Sequence, residues 1–168
     1  MKEMRPTTGK VTLALFNILG NIHGRSFLDL FAGSGQIAAN AAKRGAAPVV
    51  LVESDKKRHA EIIKKAPPSI SCLCFDVRRA LPRFAKAGEK FDIIFADPPY
   101  NLGWGAEFIK LIEASECVLA PGGVIIFEHS DEEEPAPMDE ARWERCDRKY
   151  GGTVLSFYNR RTESVEND

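Results

Sequence analysis

The chain has 168 residues, enough for one domain with a substantial core and too few for two ordinary domains. Its 44% apolar and 28% charged residues are typical of a globular protein and argue against wholesale disorder. No run is as long as a membrane span, and the first residues lack the apolar core of a signal peptide, so we expect a cytoplasmic protein. The net charge of −1 argues mildly against a free nucleic-acid binder, which usually carries excess Lys and Arg.

We expect a single domain over residues 1–161, in which residues 1–25 form an N-terminal motif and helix and residues 162–168 a flexible tail. Thr7 and Thr8 are candidate N-caps of this first helix. Its apolar residues recur at helical spacing before Gly20: Val11, Leu15, Ile18 and Leu19.

Short apolar runs then alternate with helical segments. The predicted strands are Ser26–Phe31, Pro48–Val52, Ile70–Phe75, Phe91–Ala96 and Val124–Phe127. The predicted helices are Ile37–Lys43, Lys56–Lys65, Arg78–Ala87 and a longer one with Phe108, Leu111, Ile112, Ser115 and Leu119 on one face. Strands that are apolar throughout indicate a parallel sheet covered by helices on both faces. Trp143–Lys149 and Thr153–Tyr158 flank Gly151-Gly152, which predicts a closing antiparallel hairpin and hence a mainly parallel, seven-stranded α/β sheet.

Four carboxylates fall at the ends of successive predicted strands: Asp29, Glu53, Asp76 and Asp97. One acid at a strand end is ordinary, because Asp favours turns and helix caps. Four acids at the ends of successive strands are harder to explain as turn or cap residues alone. The carboxyl ends of parallel strands form the ligand crevice of an open sheet, so we expect a site there.

The turn after the first strand is rich in glycine. Gly33-x-Gly35-x-x-Ala38 matches the dinucleotide fingerprint, and Glu53 lies near the position expected for an acid that binds ribose hydroxyls. Glycines allow the backbone to approach a ligand closely. This pattern indicates a nucleoside ligand and leaves open whether that ligand is NAD or S-adenosylmethionine.

The tetrapeptide Asp97-Pro98-Pro99-Tyr100 favours S-adenosylmethionine. The lone pair of a nucleobase amine is delocalised into the ring and must be turned toward the methyl donor. The Asp97 carboxylate and the Pro98 carbonyl can each accept one N–H of such an amine, while Pro99 stiffens the backbone. Tyr100 offers a face on which an extruded base can stack. A dehydrogenase would also need a substrate-binding region for which few residues are left.

The four cysteines do not predict a metal site. Cys72 and Cys74 alternate along one strand, while Cys117 and Cys146 stand alone. A C-x-C pair without a second pair or nearby histidines is a poor zinc pattern. We therefore expect reduced, mostly buried thiols and no bound metal.

Four segments together carry a family resemblance: Arg5-Pro6-Thr7-Thr8, the helix through Leu15–Leu19, the turn Leu28–Gly35 and Asp97–Tyr100. They resemble the bacterial 16S ribosomal RNA guanine-N2 methyltransferases of the RsmD type, over nearly the whole chain. This resemblance implies a Rossmann-like class I methyltransferase fold, S-adenosylmethionine as cofactor, and a guanine N2 amine in small-subunit ribosomal RNA as methyl acceptor. It also implies ribosomal RNA as the partner, whether naked or in the assembled subunit. A monomer suits a small enzyme that works on so large a substrate.

The resemblance implies a role for individual positions. Catalytic positions would be Asp97, Pro98, Pro99 and Tyr100. Cofactor contacts would come from Asp29, Phe31, Ala32, Gly33, Ser34, Gly35, Glu53, Ser54, Asp76, Val77 and Asp97. Substrate contacts would come from Arg5, Thr7, Lys10 and Tyr100, and we hypothesise that Arg5 and Lys10 contact phosphates. The acidic stretch Asp131–Glu134 lies on the same side of the sheet and is interpreted as a solvated loop.

Three alternatives stay open at this point. One is an amine methylase with another acceptor, namely DNA adenine or cytosine or a protein glutamine. A second is an NAD-dependent oxidoreductase. A third is a non-catalytic RNA-binding protein on a methylase fold, although a binder has no need for an intact Asp97–Tyr100 motif.

Overall fold

One sheet organises the computed structural model, which describes residues 9–162. Its strands are β1 (Phe27–Asp29), β2 (Val49–Val52), β3 (Ile70–Leu73), β4 (Phe91–Ala96), β5 (Leu119–Ser130), β6 (Trp143–Tyr150) and β7 (Thr153–Arg160). The strand order is β3-β2-β1-β4-β5-β7-β6. β1 to β5 pair in parallel, and β7 pairs antiparallel with both β5 and β6. The predicted seven-stranded, mainly parallel sheet with a C-terminal hairpin is confirmed.

Helices cover both faces of this sheet. They are α1 (Gly9–Leu19), α2 (Gln36–Lys43), α3 (Lys56–Lys65), α4 (Val77–Ala87) and α5 (Trp104–Ala114). Ile93 and Phe95 of β4 pack in a core cluster with residues of α1, α2 and α3, whereas Ile94 packs in a second cluster with α4 and α5. Alternate residues of a strand point to opposite faces, so a central strand between two helical layers must be apolar throughout.

The end of the long helix differs from the prediction. Helix α5 ends at Ala114, and a 3₁₀ turn leads into β5 at Leu119, so placing Leu119 on the helix was wrong. β5 also begins before the predicted strand Val124–Phe127 and includes Pro121, Gly122 and Gly123. A Cβ on Gly123 would lie 2.6 Å from the Leu119 side chain and 2.9 Å from the Asp92 carbonyl. Only glycine fits there, which lets the strand continue through a bulge against β4.

Smaller differences concern strand ends and thiols. β1 and β3 are shorter than predicted, because the chain leaves the sheet after Asp29 and after Leu73 to form the loops above them. Cys117 on the 3₁₀ turn and Cys146 on the edge strand β6 are exposed, and Cys72 and Cys74 are partly exposed. The expectation of mostly buried thiols was therefore wrong. Across residues 9–162, no helix has the length and apolar character needed to cross a membrane. The predicted caps Thr7 and Thr8 and the tail from residue 163 lie outside the described residues.

Candidate active site

The direction of the chain crossovers reverses between β1 and β4. β1 connects through α2 to β2 on one side, whereas β4 lies on its other side. Such a switch point opens a crevice at the carboxyl ends of the strands. Asp29 is the last residue of β1, Glu53 follows β2 directly and Asp97 follows β4 directly. Three of the four predicted acids therefore meet at this crevice.

A cavity of about 310 Å³ lies at the crevice. Its walls are formed by Phe31, Gly33, Glu53, Ser54, Arg58, Arg78, Asp97, Pro99, Leu102 and Trp104. Six of these are predicted site residues from three separate segments of the sequence. Sequence reasoning missed Arg58, Arg78, Leu102 and Trp104. The two last follow the Asp97–Tyr100 motif closely, and that proximity was the available signal for them.

The remaining predicted residues do not form the wall of this cavity. Asp29 is buried at the end of β1, and Ala32, Ser34 and Gly35 belong to the turn that joins β1 to α2. Asp76 caps α4, and Val77 is the first residue of that helix. Pro98 and Tyr100 lie in the loop between β4 and α5, and Lys10 is exposed on α1. Arg5 and Thr7 lie outside the described residues.

Asp29 is the most strongly perturbed carboxyl group in the described part of the chain. Its side chain is 1% exposed, and neither carboxylate oxygen makes a hydrogen bond of good geometry. The pKa of Asp29 is raised to about 8, first by burial and next by repulsion from Asp97. The Phe31 backbone N–H opposes this shift, and Glu53 adds a smaller repulsion. A cation beside Asp29 would lower this pKa again, since it would favour the ionised carboxylate.

Glu53 holds the glycine-rich turn in place. One of its carboxylate oxygens accepts the Gly33 N–H at 3.1 Å, and the other accepts the Asp55 N–H at 3.1 Å. Gly33 and Gly35 have positive φ values of 58° and 80°. A Cβ on Gly35 would approach the Ile62 side chain to 3.3 Å. Each carboxylate oxygen of Glu53 keeps a lone pair, so the group can still accept two hydroxyls from a ligand in the cavity.

Arg78 joins the two helices on the far side of the cavity. Its guanidinium group pairs with both carboxylate oxygens of Glu107 on α5, with Nη2 at 2.9 Å from Oε2. The same group lies 3.1 Å from the Asp76 carboxylate and 4.2 Å from the centre of the Trp104 ring. Phe31 contacts Trp104 edge-on, with ring centres 4.9 Å apart. Asp76 is therefore connected to the cavity wall through Arg78. The Trp104 ring is held by Arg78 on one side and by Phe31 on another.

The loop between β4 and α5 carries Asp97–Tyr100. Pro98 is buried, whereas Leu102 is 55% exposed although it lines the cavity. Asn101 and Gly103 both adopt left-handed backbone conformations, with φ of 61° and 77°. Asp97 and Pro99 of this short, sharply turned loop line the cavity. Within residues 9–162, no three His, Cys, Asp or Glu side chains come together as a metal-binding group.

The buried Asp29 makes stability depend on pH. Its pKa rises from 3.8 to about 8 on folding, so the folded state holds a proton that the unfolded chain has lost. The free energy of unfolding should therefore fall by about 1.4 kcal/mol per pH unit as pH rises between these two values. Asp29→Asn removes this titration. Urea denaturation of both proteins from pH 5 to 8 should show wild type losing stability relative to the variant, and parallel profiles would contradict a buried, protonated Asp29.

Comparison with known proteins identifies the family. The model of the family described as Conserved hypothetical protein 95 matches residues 1–159. Ribosomal RNA small subunit methyltransferase D of Escherichia coli K12 is 31% identical over 98% of this chain and 83% of its own length. The putative rRNA methyltransferase YlbH of Bacillus subtilis is 32% identical over 94% of this chain and 88% of its own length. The structure of the putative methyltransferase yhhF from Escherichia coli has 30% identity and a TM-score of 0.80, covering 95% of this chain and 89% of its own. The chain therefore belongs to the RsmD family of methyltransferases.

Proposed function

We propose that this protein transfers a methyl group from S-adenosylmethionine to the exocyclic N2 amine of a guanine in small-subunit ribosomal RNA. The observation that carries the proposal is the shared cavity, in which Gly33 and Glu53 form one wall and Asp97 and Pro99 another. Gly33 and Glu53 suit a nucleoside cofactor, whereas Asp97 and Pro99 suit an amine. The names of the Escherichia coli and Bacillus subtilis relatives support ribosomal RNA as the substrate.

The residues present fit S-adenosylmethionine, which supplies an electrophilic methyl group on a positively charged sulfur. Asp29 is a buried carboxyl group without a well-formed hydrogen bond, and it suits the positively charged methionine part of the cofactor. Glu53 has the remaining acceptor capacity for two ribose hydroxyls. The aromatic wall of Phe31 and Trp104 suits a flat base, with Arg78 over the Trp104 ring and Asp76 paired with Arg78.

The Asp97–Tyr100 segment, which we call the amine clamp, orients the acceptor. The Asp97 carboxylate accepts one N–H of the guanine amine, and the Pro98 carbonyl accepts the other. Held in this way, the nitrogen lone pair would point into the cavity, toward the methyl group that S-adenosylmethionine would supply there. The surplus proton on nitrogen passes to Asp97 or to water. Because Pro98 and Pro99 restrict the backbone, the amine is held in line for transfer rather than merely bound.

The rim of the cavity suits an extruded base. Tyr100 offers a ring for stacking, and the exposed Leu102 offers an apolar contact beside it. Lys10, on the exposed face of α1, is available for a phosphate. We propose that the enzyme acts as a cytoplasmic monomer, and that naked ribosomal RNA and assembled subunits are the two substrates to compare.

Methyl transfer should depend on the Asp97 carboxylate. Asp97→Asn keeps the size of the side chain but exchanges a charged acceptor for an amide, so we expect a loss of roughly 100-fold or more in rate. The measurement is transfer of labelled methyl groups to unmodified small ribosomal subunits and to naked ribosomal RNA, with digestion to nucleosides.

The control for this experiment is Asp139→Asn, an exposed aspartate that does not line the cavity. Label in N2-methylguanosine that disappears only in the Asp97 variant supports the proposal. Label found instead in DNA or in a glutamine side chain, or an unchanged rate in the Asp97 variant, contradicts it.

Cofactor binding should be visible at Trp104. The chain has two tryptophans, of which Trp104 lines the cavity and Trp143 is buried outside it on β6. Adding S-adenosylhomocysteine should change the fluorescence of Trp143→Phe, in which Trp104 remains, because the ligand displaces water from that ring. Trp104→Phe should show little response, and NAD should affect neither variant. An equal response of both variants to S-adenosylhomocysteine would place the ligand elsewhere.

A further inference from the structure

We propose that Glu133 is a positioning residue for methyl transfer, because it holds the loop that carries the amine clamp. Residues 133–136, which we call the brace, follow β5 and pack against the start of α5. This inference rests on the proposed function, since it assigns the acidic stretch after β5 a part in presenting the clamp to the amine.

The clamp loop adopts a backbone conformation that L-residues disfavour. Asn101 follows the clamp directly and has φ of 61°, and it is the only non-glycine residue with positive φ among residues 9–162. Gly103, two positions later, also has positive φ before α5 begins. A non-glycine residue persists in this conformation where its surroundings hold it there. Asn tolerates this conformation better than most L-residues do, and a partner outside the loop would hold it there.

Glu133 is that partner. A side-chain oxygen of Glu133 accepts a short hydrogen bond from the backbone N–H of Asn101. The bond joins residues 32 positions apart, and a charged acceptor makes it stronger than a neutral one. Because Asn101 is the neighbour of Tyr100, the bond fixes the chain immediately after the clamp.

The brace is itself anchored on both sides. The Glu133 N–H donates to the Ser130 carbonyl at 3.1 Å, which ties the brace to the end of β5. The Ala136 N–H donates to the Gly105 carbonyl in α5 at 2.9 Å. Glu134 pairs with Arg145 of β6 at 2.6 Å. Glu133 thus projects from a segment tied to the sheet, the hairpin and the helix, and it can transmit their rigidity to the loop.

The close fit of the brace on α5 supports the inference that Glu133 projects from a rigid segment. A Cβ on Gly105 would lie 3.4 Å from the Glu134 carbonyl oxygen, so the two backbones are nearly in contact. Within the acidic stretch, Glu133 is partly buried, whereas its neighbour Glu132 is exposed. The interpretation of the whole stretch as a solvated loop is therefore wrong for Glu133.

Loss of the bond should affect the acceptor more than the cofactor. Glu53 and Gly33 belong to loops after β2 and β1 and hold each other by their own hydrogen bond. Glu133→Ala should therefore lower kcat about 10- to 100-fold, because misplacement by about 1 Å costs that much in a positioned reaction. Affinity for S-adenosylhomocysteine should stay within about twofold of wild type. Glu133→Gln keeps an acceptor oxygen and should restore most of the activity.

The matched control is Glu132→Ala, which removes the same side chain one position away. It should behave as wild type in kcat, in the KM for RNA and in S-adenosylhomocysteine affinity. The inference is overturned if Glu133→Ala keeps its kcat, or if Glu132→Ala loses as much. It is also overturned if S-adenosylhomocysteine affinity and thermal stability of Glu133→Ala fall in proportion to kcat, which would indicate a general structural role.

A measurement without RNA separates this inference from the proposed function. The Asn101 amide proton should be protected from hydrogen exchange and shifted downfield in NMR spectra of wild type and of Glu132→Ala, and both features should be lost in Glu133→Ala. An unprotected Asn101 amide in wild type overturns the brace whatever the substrate is. A protected amide in a protein that methylates no guanine overturns the proposed function and leaves the brace supported.

Discussion

Burial of the Asp29 carboxyl group at the crossover between β1 and β4 is the constraint around which the site is organised. Its pKa is raised to about 8, so at neutral pH the folded protein keeps a proton that an exposed aspartate would release. An aspartate in such a place costs stability in the absence of a ligand. A cation in the crevice would offset this cost. Under the proposed function, the buried acid would thus link the fold to the positively charged cofactor.

The parallel sheet explains how one crevice gathers groups that are far apart in sequence. Because β1, β2 and β4 are neighbours and run in the same direction, their loops meet above Asp29. Glu53 locks the glycine turn from one side. Arg78 ties α4 to α5 from the other side and supports the ring of Trp104. The glycine turn with Glu53 and the wall with Arg78 and Trp104 are thereby held by separate sets of contacts.

Much of this arrangement could be predicted from the sequence, because the signals are local. Uninterrupted apolar strands indicate a buried parallel sheet, and acids directly after strands must lie at its carboxyl edge. The Asp97–Tyr100 motif predicted amine methylation, and membership in a methyltransferase family decides against an NAD-dependent oxidoreductase. The assignment of roles to individual site residues, including Arg5 and Thr7 outside the described residues, stays a prediction.

What could not be predicted depends on contacts between distant segments. The bond between Glu133 and Asn101 spans 32 positions, and its residue types alone suggest a solvated acidic loop. In the sequence, Arg78 is indistinguishable from an ordinary exposed arginine on a predicted helix. Its pair with Glu107 forms only because α5 lies beside α4 in the fold. β5 passes through Gly123 close to the Asp92 carbonyl of the adjacent strand, and a start of the strand before Val124 could not be predicted from the local sequence.

The most direct test of this account is calorimetric titration of S-adenosylmethionine at pH 7 in buffers with different heats of ionisation. Asp29 should be mostly protonated in the free protein and ionised beside the bound cation, so binding should release a large fraction of one proton. The Asp29→Asn variant should release a much smaller fraction of a proton and should bind S-adenosylmethionine more weakly. Binding by wild type with no proton release, or equal release by the variant, would contradict the role given to the buried carboxyl group.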